Sequence, residues 1–249
     1  QPQLQARALR AAGELGRRDL RSACEQSLTD KDVTCRFWAA WSAVLLGNRT
    51  SAVEVLNKAY ALTINSFQEH ALQLVLKVLA IPDIHALLKT LAQNASNMRC
   101  LIQGAGIAGD PYYVLWLIKQ MDEPKFSRLA GESFSFITGL DLAYLDLEQD
   151  APEGIELGPD EDPENNNVQM DEDDNLPWPD PTKIQAWWDV NKSSFTNGER
   201  YFMGKLISRE HCIQILKEGF QRQRTVAALY LCLINPGIQL FPTAAPVWR

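Results

Sequence analysis

Gly104-Ala-Gly106-Ile-Ala-Gly109 has the spacing of a dinucleotide fingerprint, whose glycines let backbone approach a pyrophosphate at a helix N-terminus. That chemistry needs a strand before the glycines and an uninterrupted helix through them. Here Asp110-Pro111 follows at once, and a proline inside that helix would remove a hydrogen bond and clash with the preceding turn. The competing reading is close packing of glycine-rich helices. Gly131-Glu-Ser133-Phe-Ser135 resembles a nucleophile elbow with its last glycine replaced, and His211 follows in the chain order of a hydrolase. An elbow works through a strained strand-to-helix turn, whereas Ser133 falls inside an expected helix. Asp171, Asp173 and Asn175 alternate as in a calcium loop, but the sixth and twelfth positions hold Leu176 and Thr182 where Gly and Glu are needed. The three histidines, His70, His85 and His211, form no zinc-spaced pair with one another or with cysteine. His85 and His211 read as helix-surface or internally satisfied positions. Neither a cofactor nor a metal site is expected.

The elements that carry these residues read as helices. Val114, Leu117, Ile118 and Met121 recur at helical spacing, as do Val226, Leu229, Tyr230 and Leu233. Val53, Leu56 and Tyr60 share a face, as do Trp38, Trp41 and Leu45. Ser51 and Glu54 have capping-box spacing, and Asp110-Pro111 and Asp180-Pro181 each set an N-cap before a first-turn proline. Alternation is weak and confined to Leu140–Leu147. With 46% hydrophobic and 22% charged residues, the 249-residue chain can bury one large core or two modest ones.

An internal repeat is the strongest pattern. Helices are expected to end at Gly16, Gly47, Gly109 and Gly139, separated by 31, 62 and 30 residues, which gives a period of about 31 with one divergent copy. Arg36, Arg99 and Arg128 each lie 10 or 11 residues before such a glycine, and Arg224-Thr-Val-Ala-Ala ending at Asn235-Pro236 looks like a further copy. The Met98-Arg99 to Gly109-Asp110-Pro111 stretch resembles the short HEAT-repeat pattern most closely. That resemblance implies an all-α, HEAT-like, armadillo-like solenoid: a right-handed superhelix of helix pairs. The expected organisation is helical repeats over 1–139, an acidic irregular insertion over 140–180, and C-terminal helices over 181–249 that continue or cap the solenoid.

Charge is unevenly divided. No Lys or Arg lies between Arg128 and Lys183, and Asp146–Asp180 holds 14 of the 31 acidic residues. The other 17 face all 24 basic residues, so a body of net +7 carries an acidic segment that includes Asp160, Glu161, Asp162, Asp171, Asp173 and Asp174. That segment is a solvated loop, or else a cover for a basic surface or a mimic of a polyanion. Its composition builds no core, and Trp178, Trp187 and Trp188 are expected to anchor it. Arginine forks recognise carboxylates and phosphates. Arg36, Arg99, Arg128, Arg222 and Arg224 are therefore the candidate partner-binding residues. The competing reading is a structural ladder, each arginine bonded to carbonyls or acids of neighbouring repeats.

Five scattered cysteines (Cys24, Cys35, Cys100, Cys212, Cys232) point to free thiols and a cytoplasmic location, and no apolar run of membrane-spanning length or signal peptide is visible. The first residue is Gln1, which suits a piece of a longer protein. Gly131-Glu-Ser-Phe-Ser-Phe-Ile-Thr-Gly139, the acidic segment with Leu176-Pro-Trp-Pro-Asp-Pro181, Arg222-Gln-Arg224 and Asn235-Pro-Gly237 together resemble a family of uncharacterised bacterial HEAT-repeat proteins. In that family these elements lie in the C-terminal part of a longer chain, often encoded beside type VI secretion components. The resemblance implies an accessory or adaptor role, with a secretion component or effector as protein partner, and it supplies no catalytic residue. Two other expectations follow from the HEAT-like pattern: nucleic-acid binding of a DNA-glycosylase-like kind, using Arg17-Arg18 with Arg21 and Arg222 with Arg224, and a pigment-lyase-like activity for which no residue is nominated.

Overall fold

In the computed structural model, residues 1–61, 65–154 and 172–244 are described. Among them the chain is mostly helical, of the all-α class. The helices run in order α1 (Pro2–Glu14), α2 (Arg21–Gln26), α3 (Val33–Leu45), α4 (Ser51–Leu56), α5 (Gln68–Val78), α6 (Ile81–Leu91), α7 (Met98–Ala108), α8 (Val114–Gln120), α9 (Pro124–Thr138), α10 (Pro181–Asn191), α11 (Arg209–Glu218) and α12 (Gln221–Ile234). Two short strands, β1 (Tyr201–Phe202) and β2 (Lys205–Leu206), pair antiparallel between α10 and α11. No described helix is long and apolar enough to cross a membrane.

The chain divides into two compact units, Gln1–Asn97 with Ile207–Arg249, and Met98–Leu206. Within the second unit the ends of the acidic segment carry core residues: Leu140, Leu142 and Leu147 are buried in one apolar cluster with Ile102, Leu117, Phe134, Ile184 and Trp188. The first unit is centred on α3, which is buried on nearly every side and packs against α1 and α4.

The four glycines end their helices for the reason the sequence suggests. Gly16, Gly47, Gly109 and Gly139 have φ of 65°, 102°, 72° and 76°, a region that costs a glycine little and other residues more. Gly16 and Gly47 close Schellman caps, with Arg17 N–H on Ala12 O and Asn48 N–H on Ala43 O. Gly109 and Gly139 close the simpler single-bond cap, on Ala105 O and Ser135 O. Asp110 caps the 3₁₀ turn Pro111–Tyr113, and Asp180 caps α10 through Thr182 and Lys183 N–H. The expected Ser51 and Glu54 box is not formed. Asn48 Oδ1 reaches forward instead, accepting from Thr50 N–H at 3.1 Å and Ala52 N–H at 3.2 Å.

A short hairpin stands between the C-terminal helices α10 and α11. Its loop residues Met203 and Gly204 both have positive φ, 49° and 78°, as a two-residue hairpin of the twist-matching kind requires. It settles on helix ends whose last carbonyls lack an intrahelical donor. Met203 N–H reaches Phe136 O at 2.7 Å, Gly204 N–H reaches Ile137 O at 3.0 Å, and Tyr201 N–H reaches Gly109 O at 2.8 Å. The other unit satisfies its helix ends with the segment after α12. Leu240 N–H meets Glu14 O at 2.7 Å, and Gly237 N–H lies 3.4 Å from Leu45 O.

Candidate functional site

The two glycine motifs that invited chemistry meet each other. A Cβ on Gly106 would stand 2.8 Å from Cα of Ser133, so the helix carrying GxGxxG crosses the helix carrying the serine in close backbone contact. Gly109 is the left-handed cap and lies under the Tyr201 carbonyl. Gly131 faces Leu142 and Pro179. Ser133 is buried within α9, with neither the strand nor the turn of an elbow, and His211 belongs to the other unit. The first unit repeats the device: Gly13 lies against Ser42, whose hydroxyl donates to Leu9 O at 2.7 Å.

The acidic segment is where side chains of functional type converge. Its outgoing and returning limbs pair through an antiparallel bridge, Glu148 with Pro179, flanked by Gln149 N–H to Trp178 O and Asp180 N–H to Leu147 O. Lys183 Nζ donates to Asp146 O at 2.9 Å. On the returning limb, Asp173 is 5% exposed and accepts from Arg99 with both carboxylate oxygens, at 2.8 and 2.7 Å. Glu172 adds a carboxylate 2.8 Å from Arg99 Nε. The Arg128 guanidinium lies 4.6 Å above the Trp178 ring, and both residues are buried. Two of the nominated arginines thus grip the same limb: α7 places Arg99 in its first turn, and Pro124 at the start of α9 sets Arg128 one turn further in.

The remaining candidates are separate. Arg36 donates to Asp30 O at 2.9 Å and Arg224 to Leu216 O at 3.0 Å, both structural contacts with backbone. Arg222 occupies an exposed position in the first turn of α12. Asp174 is exposed, while Asp160, Glu161, Asp162 and Asp171 lie outside the described residues. Because Asp171 lies there and Asp173 commits both oxygens to Arg99, the calcium-loop alternation has no described geometry. Sequence reading missed Glu148, Glu172 and Lys183 as parts of the clasp; nothing in their spacing marks them, because their partners are remote in sequence.

Trp178 and Trp188 are buried as expected of anchors, and Trp187 is half-buried. All five cysteines are free thiols, and burial pushes those of Cys24, Cys212 and Cys232 up to about 11, the opposite of an activated nucleophile. The basic cluster near the start of the chain is engaged within its own unit. Arg17 pairs with Asp19, Arg21 with Glu25, and Arg18 donates to Pro236 O. Charge separates by unit: Met98–Leu206 holds 21 acidic and 8 basic residues, a net of -13, and the other unit carries +6.

Compared with protein-family models, with curated proteins and with solved structures, the chain matches none.

Proposed function

We propose that this chain is a protein-binding scaffold, a HEAT-like right-handed solenoid of helix pairs that acts in the cytoplasm as an adaptor. The family resemblance adds an accessory role beside type VI secretion, with a secretion component or effector as partner. One observation carries the reading. The two limbs of the acidic segment are tied to the helices and to each other by Arg99, Arg128 and the Glu148 bridge, which fixes where the segment leaves and rejoins the fold. Anchoring reduces the ordering cost of binding, and the carboxylates favour a basic partner over nucleic acid. The engagement of Arg17, Arg18, Arg21 and Arg224 within the chain further weakens a phosphate-binding reading.

The test is crosslinking capture from the source cell with identification by mass spectrometry. It uses the intact chain and a variant in which residues 153–170 are replaced by a short Gly-Ser linker, leaving Asp173 and Trp178 in place. A stoichiometric protein partner whose capture changes between the two forms is expected. Capture of nucleic acid alone, lost at higher salt, overturns the proposal.

A further inference from the structure

We infer that the turn Leu142–Leu147 is a preformed docking knuckle, whose Tyr144 and Leu145 enter an apolar pocket rimmed by Lys or Arg on a protein partner. The inference rests on the scaffold reading and names the chemistry of its partner.

The turn is closed by its own hydrogen bonds. Leu145 N–H bonds to Asp141 O at 3.1 Å, and Tyr144 N–H to Asp141 Oδ1 at 3.1 Å. Asp146 N–H bonds to Ala143 O and Leu147 N–H to Leu142 O, at 3.2 and 2.9 Å. This is one helical turn closed by a Schellman cap, with Leu142 and Leu147 buried side by side in sequence register as its apolar clasp. The left-handed position is filled not by glycine but by Asp146, at φ 55°. Only two non-glycine residues have positive φ among the described residues, and the other, Met203, belongs to the hairpin loop. A strained conformation that the surroundings over-determine is a mark of functional positions.

The rigid turn displays two apolar side chains. Tyr144 is 85% exposed and Leu145 45% exposed. The backbone is already ordered, so binding has only the two side chains left to fix, and an uncovered tyrosine supplies the aromatic area typical of an interaction hot spot. Charge selects the partner. Asp141, Asp146, Glu148 and Asp150 surround the pair in sequence with no basic residue among them. Among the described residues Lys183 is the one basic side chain bonded to the turn, donating to the Asp146 and Glu148 carbonyls and lying 3.7 Å from the Asp146 carboxylate, which stays 94% exposed, so the surface remains net acidic. A pocket with a positive rim is steered to this surface, while an acidic one is repelled.

The experiment places p-benzoylphenylalanine at position 144 of the full chain in the source cell, with the 79% exposed Val190 as control position. The expected adduct forms from position 144 and maps to apolar residues flanked by Lys or Arg. With that protein purified, Tyr144→Ser with Leu145→Ser should weaken binding by roughly tenfold or more. Asp146→Asn, which keeps a residue tolerant of the left-handed region, combined with Glu148→Gln should slow association at low salt and lose its effect at high salt. Unchanged circular dichroism and melting would show that both variants fold. A partner captured by the intact chain and bound equally by the double serine variant overturns the knuckle and leaves the scaffold reading standing. An adduct only to a second copy of this chain also overturns it. Failure to capture any protein removes the scaffold reading, and the knuckle with it.

Discussion

Arg99 holds Asp173 across 74 residues of sequence, its two terminal guanidinium nitrogens each donating to one carboxylate oxygen, at 2.8 and 2.7 Å. The carboxylate is buried, whereas the arginine side chain keeps 29% of its surface. Bidentate geometry makes this stronger than an ordinary ion pair. It explains how the returning limb, which carries Glu172, Asp173 and Asp174 in succession, is held on α7 despite the repulsion among its own carboxylates.

Arg99→Ala would strand the Asp173 carboxylate. Loss of one partner of a largely buried pair costs about 3 kcal/mol, and the arginine's exposure reduces this to about 2 kcal/mol here. Thermal unfolding should fall by roughly 6 °C. The apolar double variant Arg99→Met with Asp173→Leu should cost less than either single change. Equal or additive losses would show that the pair is not coupled.

Gly106→Ala inserts a methyl where Ser133 Cα would stand at 2.8 Å. Overpacking should destabilise by about 2 kcal/mol, measurable by chemical denaturation. Ser133→Gly should restore only part of the loss, because the backbone contact remains. Gly13→Ala, against Ser42 Cα at 2.6 Å, should behave alike.

Burial raises the thiols of Cys24, Cys212 and Cys232 from 9.0 to about 11, so each favours the protonated folded state. The unfolded thiols ionise first as pH rises. Stability should therefore decline between pH 9 and 11, and a variant with serine at these positions should lose that part of the decline. In the native protein at pH 8 the half-buried Cys100 should react with a thiol reagent before these three.

Asp32 caps α3, and the hydrogen bond from Cys35 N–H holds its carboxyl below the usual range. A depressed folded value means that its contribution is complete above the unfolded value of 3.8 and is lost as pH falls below it. Asp32→Asn keeps a capping oxygen but does not titrate, so its stability should depend less on pH through the acid range. Asp32→Ala should lower the melting temperature at pH 7, where a cap with no role would leave it unchanged.

Much of this was legible residue by residue. Gly16, Gly47, Gly109 and Gly139 reveal helix ends because a left-handed cap favours glycine whatever the surroundings. Asp110 and Asp180 reveal helix starts because capping is a bond to the next turn. The Ser51 box failed because Asn48, also local, made a competing set of bonds. The hairpin at 201–206 was hidden because two-residue strands carry too little alternation to read. Arg99 and Arg128 stood out by their period, but only folding brings Asp173 and Trp178 to them.

The sequence by itself determined what short-range physics governs: helix faces, caps, the separation of charge and the all-α class. Tertiary structure alone decided that Gly106 serves Ser133 rather than a nucleotide, that Asp173 is an anchor rather than part of a solvated run, and that Tyr144 is left outside the core. Each of these depends on which surface arrives from elsewhere in the chain. A glycine, a carboxylate or a tyrosine has the same propensities whether a partner covers it or not.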